Sequence, residues 1–295
     1  MKFYADADRD MTTHADSLSR RDLSRLCRLI YEQSGITLSA EKQIMLEGRL
    51  KRRLTSLNLS SYGEYCDYLF DGNGHDAEEM LHLIDAVTTN KTDFFREKAH
   101  FDFLAAKMLP EFTAKEGNSR ELLIWSAGCS TGEEPYTLAM VLSEYQQSHP
   151  GFRFRLLATD ISTAVLSKAE RGVFPSEVLH PVPPDLRRKY FMRSRDRGSN
   201  LLRVVPELRD KIEFRRLNLM EEFGLTERAD AIFCRNVIIY FDRSTQERLF
   251  HKFCRQLVDG GYMFVGHSES LHHMDVPLVP VAPALYRKAD ARYRN

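Results

Sequence analysis

Between Leu18 and about Thr89 the apolar positions recur every three to four residues, the period of helices with one buried face. LSRLCRLIYEQSG predicts a first helix that stops at Gly35, the residue type that most easily takes the left-handed turn closing a helix. Ser39 opens AEKQIMLEGRLKRRLTSL, where Leu46, Leu50, Leu54 and Leu57 share one face. Ser61 and Glu64 have the S-x-x-E spacing of a capping box and predict a third helix. DGNGHD breaks it, and AEEMLHLIDAVTT predicts a fourth. No strand pattern and no repeat interrupts this stretch, so residues 17–87 predict a small all-α domain, preceded by a polar, disordered segment over 1–16.

Beyond it the rhythm changes. ELLIWS, FRFRLLATD, IEFRRLNL, ADAIFC and GYMFVGHS are short apolar runs with strand character, and 133–147, 162–171 and 243–257 have helical period. Alternation of this kind predicts a mainly parallel sheet with helices on both faces over 88–295. Residues 172–211 break the alternation with VPP, a short helix at PDLRRKYF and a hairpin-like pair in FMRSRDRGSNLLRVV. That stretch predicts a small antiparallel insertion.

Composition narrows the class. A chain of 295 residues with 43% hydrophobic content can bury a large core. Its formal net charge is zero, so no global field favours nucleic acid or a membrane surface. The polar start MKFYADADRDMTTHADS lacks the apolar centre of a secretory signal, and no apolar run approaches the ~18 residues of a membrane span. Five scattered cysteines (27, 66, 129, 234 and 254) read as reduced packing residues of a cytoplasmic protein.

The segment SAGCSTGEEPYT, 126–137, lies between a strand and a helix, the setting of a nucleotide-binding turn. Such turns usually meet phosphate at the helix N-terminus, but Glu133 and Glu134 would repel one. Gly128 and Gly132 let the backbone turn closely around a ligand, and Asp160, at the end of the second strand, suits the two hydroxyls of a ribose. As a lone residue Asp160 could equally cap the helix that follows. Asn218-Leu219 and Arg235-Asn236 end the next two strands and reach the same sheet edge. A nucleoside without phosphate that carries cationic sulfonium and ammonium groups fits this set, which points to S-adenosylmethionine (SAM) and its product S-adenosylhomocysteine (SAH).

TTNKTDFFRE, 88–97, taken with SAGCSTGEEPYT, ATD, LNL, FCRNVIIYFD and GHSE, closely resembles the chemotaxis receptor methyltransferases of the CheR type, from about Leu18 to Tyr286. The resemblance implies a Rossmann-like class I SAM-dependent methyltransferase with a small antiparallel β insertion, behind an all-α N-terminal domain that recognises the receptor. It implies methyl transfer to glutamate side chains on cytoplasmic chemoreceptor helices, giving glutamyl methyl esters in chemotaxis adaptation. Carried over by motif, the cofactor contacts are Asn90, Thr92, Arg96, Glu134, Asp160, Asn218, Leu219, Arg235 and Asn236. Arg96 and Tyr240 fall beside the transferring methyl. In some members of that family the insertion holds a peptide from the receptor's C-terminal tail.

The chemistry is consistent with those residues. A glutamate with a pKa of about 4.3 is already an anionic nucleophile at neutral pH, so alignment rather than a general base is required. An arginine can hold a carboxylate with a two-pronged grip. In isolation, Arg96 reads as a surface residue and Tyr240 as a core residue. A SAM-sensing or partner-binding module without turnover and a nicotinamide dehydrogenase are the alternative readings; the acidic turn opposes the second. Nucleic-acid methylation lacks its Asp/Asn-Pro-Pro-aromatic motif. His251 with Cys254, and His267 with His272 and His273, lack the paired clusters of a metal site, so no metal is expected. Residues 17–57 carry nine Lys/Arg against four Asp/Glu, and Lys42, Arg49, Arg52 and Arg53 fall in one arc beside the leucine face. That arc is either a solvated face or a guide for an acidic receptor helix. The insertion is basic as well, with ten Lys/Arg against five Asp/Glu over 171–211.

Overall fold

The computed structural model describes residues 17–38, 42–71, 77–117, 119–194, 198–272 and 274–289. It divides into two compact units: a smaller one ending at Val87, and a larger one from Thr88 onward that also takes in Tyr31–Thr37. Those seven residues fall inside the 17–87 stretch that the helical pattern assigns to the smaller domain.

The smaller unit is helical. Helix α1 (Arg20–Ser34) buries Leu23, Leu26 and Ile30 and stops at Gly35, whose φ is +73° and whose N–H donates to the Tyr31 carbonyl. Helix α2 (Gln43–Leu57) buries Leu46, Leu50 and Leu54, while Leu57, at the end of the same face, is half-buried. Asn58 closes it in the left-handed region, its N–H shared between the Leu54 and Thr55 carbonyls. Helix α3 (Tyr62–Asp71) begins on Ser61, whose hydroxyl accepts the Glu64 N–H at 3.1 Å. The Glu64 carboxylate returns to the Ser60 N–H at 2.7 Å, one residue before the position of a standard capping box. Helix α4 (Ala77–Val87) buries Leu83, Ile84 and Val87. The Ser39 cap, the break over 72–76 and the leading residues 1–16 lie outside the described residues.

The larger unit begins with α5 (Ala99–Phe103), a π-helical turn over Leu104–Met108, and α6 (Leu109–Glu116) with Pro110 in its first turn. Strand β1 (Leu122–Ala127) leads through the glycine turn into α7 (Glu133–Ser148), then β2 (Phe154–Asp160) and α8 (Thr163–Arg171). The insertion comprises β3 (Val173–Pro175), α9 (Pro184–Tyr190), β4 (Phe191–Arg193), β5 (Leu201–Val204) and α10 (Pro206–Arg209). Then follow β6 (Ile212–Arg216), β7 (Ala229–Cys234), α11 (Arg243–Gln256), β8 (Leu257–Val265), β9 (Leu278–Ala282) and β10 (Leu285–Lys288).

Among the described residues the main sheet runs β6-β2-β1-β7-β8-β10-β9. The first five strands are parallel, and β10 and β9 join antiparallel. Fully buried runs such as ADAIFC, with every residue of β7 covered, are what a parallel sheet wrapped by helices requires. The order of strands reverses between β1 and β7, so their carboxyl ends diverge and open a crevice there. A separate three-stranded antiparallel sheet, β3-β5-β4, forms the insertion, one strand more than the predicted hairpin.

Candidate active site

The loop after β1 turns on two left-handed glycines, Gly128 (φ +85°) and Gly132 (φ +103°). A Cβ on Gly128 would lie 2.5 Å from Val237 Cγ2, so only glycine permits this approach of the β1 and β7 loops. Between them Ser130, also left-handed at +50°, donates its N–H to Asp160 Oδ2 at 2.9 Å. Asp160 Oδ1 accepts the Ser162 N–H at 3.0 Å. The cap of α8 is Ser162, which accepts from Val165 N, so the capping reading of Asp160 does not apply. Asp160 is instead a buried carboxylate at the sheet edge whose two oxygens accept the Ser130 and Ser162 N–H groups.

The two glutamates of the turn have separate roles. Glu133 folds back to accept the Thr131 hydroxyl at 2.6 Å, and burial pushes its carboxyl above the usual range. Glu134 crosses the crevice: Oε1 accepts the Ser126 hydroxyl at 2.7 Å, and Oε2 accepts Arg235 Nη1 at 2.9 Å. Its side chain is only 12% exposed. Burial raises its pKa, and the Arg235 charge and the Ser126 bond pull against that rise.

Arg235, immediately after β7, is the hub. Its side chain is 2% exposed and also reaches Glu97 Oε2 at 3.1 Å and the Arg96 carbonyl. The guanidinium lies over the Phe101 ring, 5.5 Å from its centre. Burial alone would raise the Glu97 carboxyl, but Arg235 and the His267 N–H hold it below its usual range. Arg96 itself is half-buried between two left-handed residues, Phe95 (φ +53°) and Glu97 (φ +56°), and its Nη1 donates to the Lys91 carbonyl at 2.9 Å. Non-glycine residues in this region cost energy and persist only where the surroundings impose them. Among the described residues four of the six cases, Phe95, Glu97, Ser130 and Asn236, line this one crevice.

The remaining expected residues fall around the same edge. Asn90 accepts the Ser130 hydroxyl with its carbonyl at 2.9 Å, and Thr92 is half-buried on the same segment. The Phe95 N–H donates to Thr137 Oγ1 on α7, tying 88–97 to the glycine turn. The Asn218 side chain is largely committed to the fold: Nδ2 donates to the Gln33 carbonyl at 2.7 Å, and Oδ1 accepts the Met220 N–H at 3.0 Å. The backbone of Asn218-Leu219 is therefore what that loop offers a ligand. Asn236 sits at φ +59° beside Glu97, and Tyr240 ends the 3-10 turn Ile238–Tyr240, its carbonyl accepting the Thr37 N–H at 2.8 Å.

On α2 the structure separates the basic arc. Arg53 grips Glu79 through Nε at 3.1 Å and Nη2 at 2.5 Å, and Arg49 Nη1 donates to the Val87 carbonyl at 2.5 Å. Glu79 is 2% exposed and also accepts the Tyr65 hydroxyl at 2.9 Å. Arg49 and Arg53 thus serve the helical unit itself, contrary to the expectation of a solvent-facing guide. Lys42 and Arg52 are exposed. A wheel places residues around a helix but does not show which of them a neighbouring helix will claim.

Sequence reasoning singled out none of Glu97, Ser126, Ser130 and His100, and it placed GHSE, with His267 and Glu269, at the end of the fifth strand near the ligand without giving it a role. The available signal was position: GHSE follows a parallel strand and so must reach the crevice edge. Among the described residues Glu97, His100 and His267 each bring a donor atom within 4.8 Å of one another. The shared Oε2 of Glu97 already takes Arg235, whose charge opposes a second cation. His273 lies outside the described residues.

A glycine turn, the buried Asp160 carboxylate and the Glu134–Arg235 pair thus meet at the carboxyl edge of a Rossmann-like parallel sheet, the place where such sheets take a ligand. Residues 90–281 match the family described as "CheR methyltransferase, SAM binding domain", and residues 21–88 match "CheR methyltransferase, all-alpha domain". A chemotaxis protein methyltransferase of Borreliella burgdorferi is 40% identical over 92% of this chain and 95% of its own length. That of Escherichia coli is 40% identical over 88% of this chain and 87% of its own. Chemotaxis protein methyltransferase 2 of Pseudomonas aeruginosa is 39% identical over 92% and 94%. The chain belongs to the CheR methyltransferase family, and SAM is its cofactor. Glu134 and Asp160 bring two carboxylates to the crevice edge, and the one arginine bonded to Glu134 there, Arg235, is also paired with Glu97.

Proposed function

We propose that this protein methylates glutamate side chains on the cytoplasmic helices of chemoreceptors, as a protein-glutamate O-methyltransferase of the cytoplasm. The placement of Arg96 carries the reading: its backbone is pinned by Arg235, both its neighbours are left-handed, and its guanidinium remains half-exposed at the crevice. When bound, SAM supplies an electrophilic methyl on a sulfonium. Asp160 holds the ribose, and Glu134 faces the amino acid end while its partner Arg235 balances the buried charge. Asn90, Thr92, Leu219 and Asn236 complete the cofactor contacts. The receptor carboxylate is ionised at neutral pH and needs no base. Arg96 and Tyr240 orient it, and orientation of a ready nucleophile is the main rate term such a site can supply.

Exposed Lys42 and Arg52 attract an acidic receptor helix. In the insertion, β3 and β4 leave outer edges that pair with no further strand among the described residues. Val173 on β3 and Met192 on β4 are exposed, and Arg187 and Arg193 line a neighbouring cavity of about 510 Å³. A tail peptide would add to such an edge as an extra strand. The test is incubation with labelled donor and receptor membranes, followed by mapping of the product. Base-labile esters on glutamates are expected, and Arg96→Ala should cut turnover by roughly 10²-fold, the scale of losing one preorganised charge contact. Label on another residue type, or an unchanged rate in the variant, overturns the assignment.

A further inference from the structure

We infer that Glu269 is a positioning residue for methyl transfer, holding the loop after β7 in the conformation that presents Arg235, Asn236 and Tyr240. Glu269 is 5% exposed, and all of its hydrogen bonds are to backbone donors. Oε2 accepts the N–H of Asn236 at 2.8 Å and of Gly266 at 2.5 Å. Oε1 accepts the N–H of Ile238 at 2.9 Å and, at longer range, of Ile239 at 3.4 Å. One carboxylate thus ties two segments, GHSE after β8 and RNVIIY after β7. The second of these contains the crevice's arginine hub, its left-handed asparagine and the candidate Tyr240.

The chemistry selects a carboxylate. Only an acceptor with two oxygens can meet donors arriving from both sides, since an amide offers one oxygen and turns N–H groups toward the others. Burying the charge is costly, and burial pushes the Glu269 carboxyl up while the four N–H groups pull it down. Gly266 adds a second constraint from the same segment: a Cβ there would collide with the Asn236 side chain and lie 2.9 Å from its backbone nitrogen. Gly266 and Glu269, two of the four residues of GHSE, therefore both act on the position of Asn236.

This rests on the methyl-transfer reading of the crevice, and the experiment separates the two. SAH binding to the wild-type chain by calorimetry tests that reading by itself. Glu269→Gln keeps the volume and removes one acceptor oxygen. It should weaken SAH binding about tenfold, the scale of one unmet buried N–H, and lower kcat at saturating donor by a similar factor. A purely structural role predicts a lower melting temperature with SAH affinity and kcat per folded molecule unchanged, and that result overturns the inference. A second measurement needs no variant. In the wild-type protein the amides of Asn236 and Ile238, though outside any strand, should exchange slowly with solvent. Rapid exchange there shows that the carboxylate does not hold the loop, and equally sinks the proposal.

Discussion

His100 is 2% exposed and packed against the Pro283 backbone, with Glu97, His267 and Arg235 as its charged or titratable neighbours. Burial first, and the Arg235 charge second, lower its pKa to about 4. The unfolded imidazole titrates near ~6.5, so the unfolded chain takes up this proton first as pH falls. His100 therefore leaves stability intact above ~6.5 and removes up to about 1.4 kcal/mol per pH unit between there and about 4. Melting temperature measured across pH 5–7 should fall on the acid side, and His100→Phe, which preserves the edge contact to Phe264, should flatten that slope. Identical slopes would assign the acid sensitivity to another group. No residue pattern marks His100 in the sequence, because its partners come from Arg235 and His267, more than a hundred residues away. The places of Asp160 and Glu134 at the sheet edge were legible because Asp160 ends a parallel strand and Glu134 follows a glycine turn. Asn218 was legible as a position, yet its side chain serves the loop.

At the scale of elements, the five parallel strands and the helices between them could be read because each is a continuous apolar or periodic run. Two elements could not. PLVPVAPALYRK carries prolines that argue against a strand, and β9 tolerates Pro280 because it lies at the sheet edge, where one side of the backbone needs no ladder partner. The helical stretch 99–116 contains Pro110, and the π turn over Leu104–Met108 just ahead of it adjusts the ladder. Helix α2 illustrates a different limit, since its periodicity fixed the leucine face but not the tasks of its cations. Arg53→Ala should destabilise the protein by ~2–3 kcal/mol, somewhat below the loss for a fully buried pair because Arg53 keeps 21% exposure. Reversing Lys42 and Arg52 to Glu should leave stability nearly unchanged and slow receptor methylation at low receptor concentration, more so at low salt. Equal rates for variant and wild type at low salt would make this face a solvated one only.

The whole molecule joins its two units in sequence by more than the passage at Val87–Thr88, because Tyr31–Thr37 is part of the larger unit. Bonds to three loops of the larger unit fasten that segment. The Tyr31 hydroxyl donates to Asp242 at 2.7 Å, the Gln33 carbonyl accepts Asn218 Nδ2, and the Thr37 N–H donates to the Tyr240 carbonyl. The last two end on the loops that we propose serve the cofactor and the substrate. Gly35, at their centre, has φ +73°, and a Cβ there would collide with the Met220 sulfur. Alanine at this position therefore carries both left-handed strain and a clash, while the exposed surface of the smaller unit is untouched. Gly35→Ala should cost about 1–2 kcal/mol of stability by thermal melting, the usual scale for strain at one such residue. It should also weaken SAH binding several-fold, because the displaced Met220 is contiguous with the Asn218-Leu219 edge. Tyr31→Phe, which removes the hydroxyl's contacts to Asp242 and Thr245, should lower stability by about 1 kcal/mol and leave SAH affinity as it is. If Gly35→Ala loses stability but binds SAH like the wild type, the segment is a passive strap and the cofactor edge is set within residues 88–295 alone.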